Sequence, residues 1–300
     1  MKTSKIIFAL SSNPKLAKRV AELANVPLGE SQIERFSDGE IIVRCLSDVK
    51  DKDVYVIQST IAPTTEKIFE LLVFIDALKS SEAKSINLVL PYYGYSRQDR
   101  VAKNGEPITA RLVAQLYQSA GISSLITIDL HTEGIARFYN CPMINLEPTK
   151  LYSDYFHTYL KEHNISEKDL AIVTPDHGSD RRVKKLAEHF KDVPLVFVEK
   201  HRPAPNKSVV VNIEGEVKDK VCLLIDDIID TGGTINNVVD VLFIKGAKDV
   251  YVAATHAVFS RGNILDKRIS HLLVTDTIEK EVEGVTILSV AELIADTIKD

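Results

Sequence analysis

Tryptophan is absent from the 300 residues, and only three cysteines and two methionines occur. Cys45, Cys141 and Cys222 are too few and too dispersed for a disulfide framework or a zinc site. Cys222 lies in an apolar run, where a buried thiol is the better reading. No apolar stretch approaches membrane-spanning length. The short apolar run in MKTSKIIFALSS is followed at once by Asn13-Pro14-Lys15, so it reads as a first strand rather than a signal peptide. Basic residues are not in surplus: 42 acidic against 37 basic side chains give a net charge of -5, which argues against a nucleic-acid protein with its usual basic face. Low-complexity segments and long linkers are also missing. These absences describe a cytoplasmic chain with no membrane or nucleic-acid partner. Anionic substrates would have to be met by local clusters of Arg and Lys.

What is present is a regular alternation of apolar runs and amphipathic stretches. Strands are expected at Lys5–Leu10, Val54–Gln58, Ile86–Leu90 and Leu125–Leu130, with helices over Pro14–Leu23, Glu66–Leu78 and Thr109–Ala120 between them. A second alternation follows: a helix over Lys150–His163, a strand at Leu170–Thr174, a helix over Arg181–Phe190 and a strand at Leu195–Glu199. Lys200–Lys207 reads as a basic loop broken by prolines. Further strands are expected at Val209–Ile213, Val250–Ala254, Leu272–Asp276 and Val285–Leu288, and Ser289-Val290-Ala291-Glu292 forms a capping box for a last helix. Alternating strand and helix over the whole length predicts an α/β protein with mostly parallel sheets flanked by helices. The length fits two modest domains, with a boundary near Asn145 that separates 1–145 from 146–300.

The most informative stretch is Val221–Thr234, VCLLIDDIIDTGGT. Val221–Ile225 has the composition of a buried strand, and Asp226 and Asp227 follow where such a strand would end. Asp230, Thr231, Gly232, Gly233 and Thr234 form a short polar turn, and apolar residues at Ile235, Val238, Val239, Leu242 and Phe243 then take helical spacing. Strand, glycine-containing loop and helix start make an anion cradle: glycines let backbone approach a phosphate, and free N–H groups and the helix dipole favour its charge. Two acids beside it cannot also face phosphate, so sugar hydroxyls or a divalent cation are their natural partners. A surface turn capped by Asp and Thr is the bland alternative, which the whole string after a buried strand makes the lesser one.

Five other groups stand where strands are expected to end, the place where open α/β sheets bind ligands, or in turns between them. Arg97-Gln98-Asp99-Arg100 follows Pro91-Tyr92-Tyr93-Gly94-Tyr95-Ser96; paired arginines suit a polyphosphate, although alone they would more often be a solvated charge run. Phe36-Ser37-Asp38-Gly39-Glu40 is a hairpin turn with exposed acids. His131 follows a strand, a position more often structural than ligating. Asp176, in Pro175-Asp176-His177-Gly178, either caps the next helix or binds a ligand. Lys200 and Arg202 load positive charge on a segment with little to pack, either a solvated loop or a lid over transferring phosphates.

Taken together, DDIIDTGGT, FSDGE, PYYGYS with RQDR, DLH and PDHG resemble, in order and over essentially the whole chain, the ribose-phosphate pyrophosphokinase family of the type I phosphoribosyltransferase fold. The resemblance implies two phosphoribosyltransferase-like domains and diphosphoryl transfer from ATP to ribose 5-phosphate, with Mg²⁺ as cofactor. It assigns Phe36, Asp38, Gly39, Glu40, Arg97 and Gln98 to ATP, and Asp226, Asp227, Asp230, Thr231, Gly232, Gly233 and Thr234 to ribose 5-phosphate. It assigns His131 and Asp176 to the metal, and Lys200 and Arg202 to catalysis on a lid. It also implies a homo-oligomer, a hexamer built from dimers, because the FSDGE segment serves a neighbouring subunit's site. Departures from the family pattern occur at Val101, where a lysine is usual and Lys103 comes two later, at His201, at Thr132-Glu133-Gly134 and at Ser179-Asp180. Many bacterial members continue for more than a dozen residues past the last helix, and the stop at Asp300 implies altered inhibition by ADP. An ordinary phosphoribosyltransferase would have no need of FSDGE or RQDR. A non-catalytic regulatory homologue should have a broken lid or ribose loop.

Overall fold

A computed structural model describes residues 4–175, 180–204, 207–262 and 264–299, with 180, 199–204 and 207–211 described as backbone. The chain divides into two compact units, one of residues 1–146, 277–279 and 289–300, the other of residues 147–276 and 280–288.

The first unit is built on β1 (Lys5–Ala9), β2 (Leu28–Gly29), β5 (Asp53–Ile57), β6 (Ser85–Leu90), β7 (Ser124–Ile128) and β8 (Met143–Leu146), which form a parallel sheet in the order β2-β1-β5-β6-β7-β8. Ile6, Ile7 and Phe8, consecutive and pointing to alternate faces, are all buried, the mark of a strand covered on both sides. Helices α1 (Pro14–Ala24), α2 (Thr64–Ser80) and α3 (Thr109–Ala120) supply that cover. Pro14 opens α1, where its missing N–H has no intrahelical partner to lose. On the α2 side, Phe74 meets Phe8 edge-on with centroids 5.2 Å apart. β3 (Ser31–Arg35) and β4 (Ile41–Cys45) form a separate antiparallel hairpin.

The second unit carries β9 (Leu170–Thr174), β10 (Leu195–Ala204), β11 (Lys207–Glu214), β12 (Val221–Ile229), β13 (Asp249–Ala257), β14 (His271–Thr275) and β15 (Thr286–Leu288), in the order β11-β10-β9-β12-β13-β14-β15. Helices α4 (Thr149–Glu162), α5 (Asp180–Ala187) and α6 (Gly233–Ile244) belong to it. Without β11 its order repeats that of the first sheet, strand for strand. In both, the chain runs from a central strand to the strand on one side, then returns to the strand on the other. Each sheet therefore has a switch point, between β1 and β5 and between β9 and β12, the crevice where open α/β sheets place ligands.

Two expectations need correction. The last helix, α7 (Ala291–Lys299), does not belong with the second half of the chain: Ile294, Ala295 and Ile298 are buried in the first unit, beside α1. Lys5 Nζ donates to the Ile298 carbonyl at 2.6 Å and to that of Lys299 at 3.1 Å, binding β1 to the end of the helix. The second correction concerns the basic loop expected at Lys200–Lys207, whose described residues are strand. β10 runs on through Lys200 and Arg202 to Ala204 and pairs antiparallel with β11, with Lys200 opposite Val210 and His201 opposite Val209. Pro203 is tolerated because β9 pairs with β10 only through Leu195–Phe197 and the β10–β11 register shifts between His201 and Ala204.

The first unit's switch point is filled by its own polar groups. Glu70 is 2% exposed. Its carboxylate accepts from the Ser11 N–H at 2.8 Å, the Ser11 hydroxyl at 2.6 Å and Gln58 Nε2 at 3.0 Å, and Lys67 Nζ lies 3.4 Å away. Gln58 Oε1 accepts in turn from the Ser12 N–H at 3.0 Å, and Asn13 Oδ1 from the Ser59 N–H at 2.8 Å. The Thr277 carbonyl closes the network, accepting from Asn13 Nδ2 at 3.2 Å and from Ser59 Oγ at 2.5 Å. Removing one hub of such a network strands buried donors that have nothing else to bond. Glu70→Ala is therefore expected to lower the unfolding free energy by about 3 kcal/mol, measured by urea denaturation; a loss below about 1 kcal/mol would show that the carboxylate is not the hub.

Candidate active site

The second unit's switch point is shaped by a mismatch of strand lengths. β9 pairs with β12 only along Val221–Leu224, whereas β13 continues beside β12 as far as Ile229, opposite Ala257. Asp226 and Asp227 are therefore not at the strand end expected from the sequence. They sit inside β12, on the part whose β9 flank carries no strand. The long β13 supplies the ladder bonds that keep this overhang extended. Both acids are buried, at 8% and 5% exposure. The Asp227 N–H donates to Asp226 Oδ1 at 2.9 Å, folding that carboxylate back along its own backbone.

The turn after β12 delivers the chain into α6. Gly232 takes φ +72°, a conformation that side chains disfavour, and a Cβ there would lie 2.8 Å from Leu265 Cδ2. The first bond of the new helix runs from the Asn236 N–H to the Gly232 carbonyl at 2.9 Å. The N–H groups of Gly233, Thr234 and Ile235 thus have no partner within the helix. Among the described residues, the nearest atom that a Cβ at Gly233 would meet is Thr231 Oγ1 at 3.9 Å. The cradle is walled at Gly232 and open at Gly233. Ile235, Val238, Val239 and Leu242 anchor the helix in the core.

In the first unit, three of the expected segments have definite places. Phe36–Glu40 is the tip of the β3–β4 hairpin. Glu40 is bonded back to Phe36 at 2.8 Å, and Asp38 Oδ1 accepts from the Glu40 N–H at 3.1 Å. Gly39 takes φ +95°, and Phe36 is 53% exposed. Arg35 holds the hairpin to α2 through Glu66. Arg97–Arg100 follows β6 and a tightly packed turn, in which a Cβ on Gly94 would meet the Thr60 carbonyl at 2.3 Å. Gln98 is fastened to the start of α3: its side-chain oxygen accepts from Thr109 Oγ1 at 2.6 Å and its carbonyl from the Ala110 N–H at 3.1 Å. Lys103 lies in an exposed turn capped by Glu106, whose carboxylate accepts from the Lys103 N–H at 2.9 Å.

His131 is exposed, just past β7, which stops at Ile128. Buried Asp129, with φ +44°, turns the chain there, and the Asn145 side chain accepts from the Leu130 N–H at 3.0 Å. Thr132 Oγ1 donates to Asp99 Oδ2 at 2.7 Å, so the arginine segment and the His131 turn are brought together at one edge of the sheet. Sequence reasoning missed Thr109 and Thr132, because nothing local marks a side chain whose partner lies 11 or 33 residues away. Asp176 lies outside the described residues. Lys200 and Arg202 are placed as backbone on β10. Among the described residues, no three or more His, Cys, Asp or Glu side chains gather as a metal cage, and no helix is long and apolar enough to cross a membrane.

Residues 5–121 match the N-terminal domain of ribose phosphate pyrophosphokinase, and residues 149–291 match the phosphoribosyl transferase domain. The chain is 45% identical to the ribose-phosphate pyrophosphokinase of Bacillus caldolyticus over 299 residues, covering 97% of this chain and 93% of that protein. The chain belongs to the ribose-phosphate pyrophosphokinase family. Its identity to the Bacillus subtilis pyrophosphokinase is 44%, covering 97% and 92% of the two chains. The crystal structure of phosphoribosylpyrophosphate synthetase from Mycobacterium smegmatis superimposes with a TM-score of 0.88 at 38% identity, covering 98% of this chain and 97% of that one. In this pyrophosphokinase the two glycines of the cradle should respond differently to the same change. Gly232→Ala is expected to destabilise by about 1–2 kcal/mol for the left-handed backbone alone, with the contact to Leu265 adding to it. Gly233→Ala should leave stability within about 0.5 kcal/mol while obstructing the cradle. Equal losses in thermal unfolding would contradict the difference in geometry.

Proposed function

We propose that the enzyme transfers the β,γ-diphosphoryl group of ATP to the C1 hydroxyl of ribose 5-phosphate, giving 5-phosphoribosyl 1-pyrophosphate and AMP. The observation that carries this reading is the overhang of β12: two buried carboxylates lead directly into a glycine-lined helix N-terminus. Thr231, Gly232, Gly233 and Thr234 bind the 5-phosphate through backbone N–H groups and hydroxyls, with Asp230 at the entry to the turn. Asp226 and Asp227 accept hydrogen bonds from the ribose hydroxyls. Arg97 and Gln98 bind the ATP phosphates. Phe36 stacks on adenine while Asp38, Gly39 and Glu40 read its polar edge. An aromatic ring left exposed at a hairpin tip supports the reading that this hairpin serves the site of another subunit, in a homo-oligomer, a hexamer built from dimers. A cytoplasmic location is part of the proposal, in keeping with metabolite substrates such as ATP and ribose 5-phosphate.

In the transfer, the C1 oxygen attacks the β-phosphorus and its proton passes to solvent. The bond between the β-phosphorus and the α,β-bridging oxygen breaks, and AMP leaves with the electron pair. Phosphoryl chemistry of this kind asks the protein for alignment and for neutralisation of charge on the equatorial oxygens. Lys200 and Arg202 supply the charge. Their place on a hairpin bonded to the sheet on one side only suits a closing element, in keeping with a lid made of two strands rather than a loop. Mg²⁺ is the proposed cofactor. It takes most of its ligands from phosphate and water and needs only one or two protein groups, a requirement that His131, which is exposed, can meet without a cage, with Asp176 as the second group that the sequence suggests. When bound, it would withdraw charge from the diphosphoryl oxygens.

Phosphorus NMR of the protein with Mg²⁺, ATP and ribose 5-phosphate tests the reaction. AMP and a C1-linked pyrophosphate are expected together, whereas ADP with a doubly phosphorylated sugar would mean transfer of a single phosphoryl group. Lys200→Ala should lower kcat by about 10²–10³-fold, as for loss of one transition-state charge donor; unimpaired turnover would remove Lys200 from the mechanism.

A further inference from the structure

The wall of the cradle is held by a side chain that lies outside the glycine loop. Residues 264–268, in the connection between β13 and β14, run alongside α6 and are fastened to it at three places. Asn236 makes a two-point contact with their backbone: Nδ2 donates to the Ile264 carbonyl at 3.1 Å and Oδ1 accepts from the Asp266 N–H at 2.9 Å. One turn further along α6, Asp240 pairs with Arg268. The Arg268 guanidinium also donates from Nε to Asp266 Oδ1 at 3.0 Å and lies 5.1 Å from the centre of the Phe243 ring. Hydrogen bonding to Arg268 holds the Asp266 carboxyl down at about 2, so this fastening stays charged across the working pH range. Asn236, Asp240 and Phe243 share one face of the helix, as their spacing requires.

Leu265 sits at the centre of this fastened segment, between the two backbone atoms that Asn236 grips. Its Cδ2 occupies the space that a side chain at position 232 would need, 2.8 Å from the missing Cβ. Gly232 is buried, and Ile264 beside Leu265 is 50% exposed. The glycine turn is thus supported from one side by a leucine, whose position depends on one amide of the helix that the turn begins.

We infer that Asn236 and Leu265 are positioning residues for the sugar phosphate. By pinning the 264–268 segment, Asn236 presses Leu265 against Gly232 and fixes the direction of the Gly233–Ile235 N–H groups. Neither side chain is required to touch the substrate. This rests on the assignment of the glycine loop to ribose 5-phosphate made above. Precise aim of hydrogen-bond donors is what such a shell contributes, and a loosened shell weakens binding without removing a ligand.

The test is calorimetric titration of the intact protein with ribose 5-phosphate, together with steady-state KM and kcat for both substrates. Asn236→Ala and Leu265→Ala are expected to weaken ribose 5-phosphate binding about tenfold, with kcat within about threefold and the KM for ATP unchanged. Those margins correspond to a positioning loss of roughly one hydrogen bond. Leu265→Met, similar in volume, should restore affinity close to the parent value. Asn236→Asp keeps the acceptor for the Asp266 N–H but places a carboxylate against the Ile264 carbonyl, and should bind as poorly as Asn236→Ala. Unchanged affinity in both alanine variants would overturn the inference while leaving the assignment of the loop intact. A parent protein that fails to bind ribose 5-phosphate would overturn both. If Asn236→Ala does not fold, Leu265→Val removes the leucine reach without cutting the fastening and decides the matter by the same titration.

Discussion

The site depends on one inequality, that β12 and β13 are longer than β9. A parallel strand with a neighbour on each side is closed to ligands along its edges. Beyond the residues that pair with β9, β12 keeps its extended shape through its pairing with β13. Asp226 and Asp227 lie on this stretch and are more than nine-tenths buried. The pairing also fixes where the following turn begins, and so where α6 points its first N–H groups. If β13 were shortened to the length of β9, the acids would belong to a loop, and the cradle would lose its origin.

The same inequality explains how a chain with a net charge of -5 can be built to handle highly anionic substrates. The attraction is not spread over the surface. In the proposed mechanism it is concentrated in backbone dipoles at one helix start, in an arginine segment tied to a neighbouring turn by Thr132 and Asp99, and in basic residues on a two-stranded arm. Backbone donors carry no formal charge, so the carboxylates can stand immediately beside them. Lysines in their place would pair with Asp226 and Asp227 and occupy the acids that the proposed mechanism reserves for the sugar.

Much of this was legible from the sequence, and what was not has particular reasons. The apolar runs at Lys5, Ile86, Leu170 and Val221 announce strands, and the glycines after Asp230 announce the cradle, because these signals are local. The extension of β12 past Asp227 was hidden, since it is decided by the length of a partner strand 20 residues later. The β10–β11 arm was hidden by Pro203 and Pro205, which ordinarily exclude strand; an arm bonded along one side and allowed to slip register can carry a proline. The place of α7 was misread because chain order suggests a domain and Lys5 is 293 residues from the carbonyl it holds. Asn236 carries no local signal in the sequence, and only the geometry shows its amide spent on a distant backbone segment.

The sealed crevice of the first unit gives the repeated strand order a meaning of its own. Two copies of one frame could have produced two competing mouths for a phosphorylated sugar, each drawing substrate away from the other. The copy that holds Glu70 at its switch point presents a carboxylate to any entering phosphate and has already committed its backbone donors to neighbours. It has become a keystone: one copy of the frame is spent on holding its own unit together, and the other carries the glycine cradle.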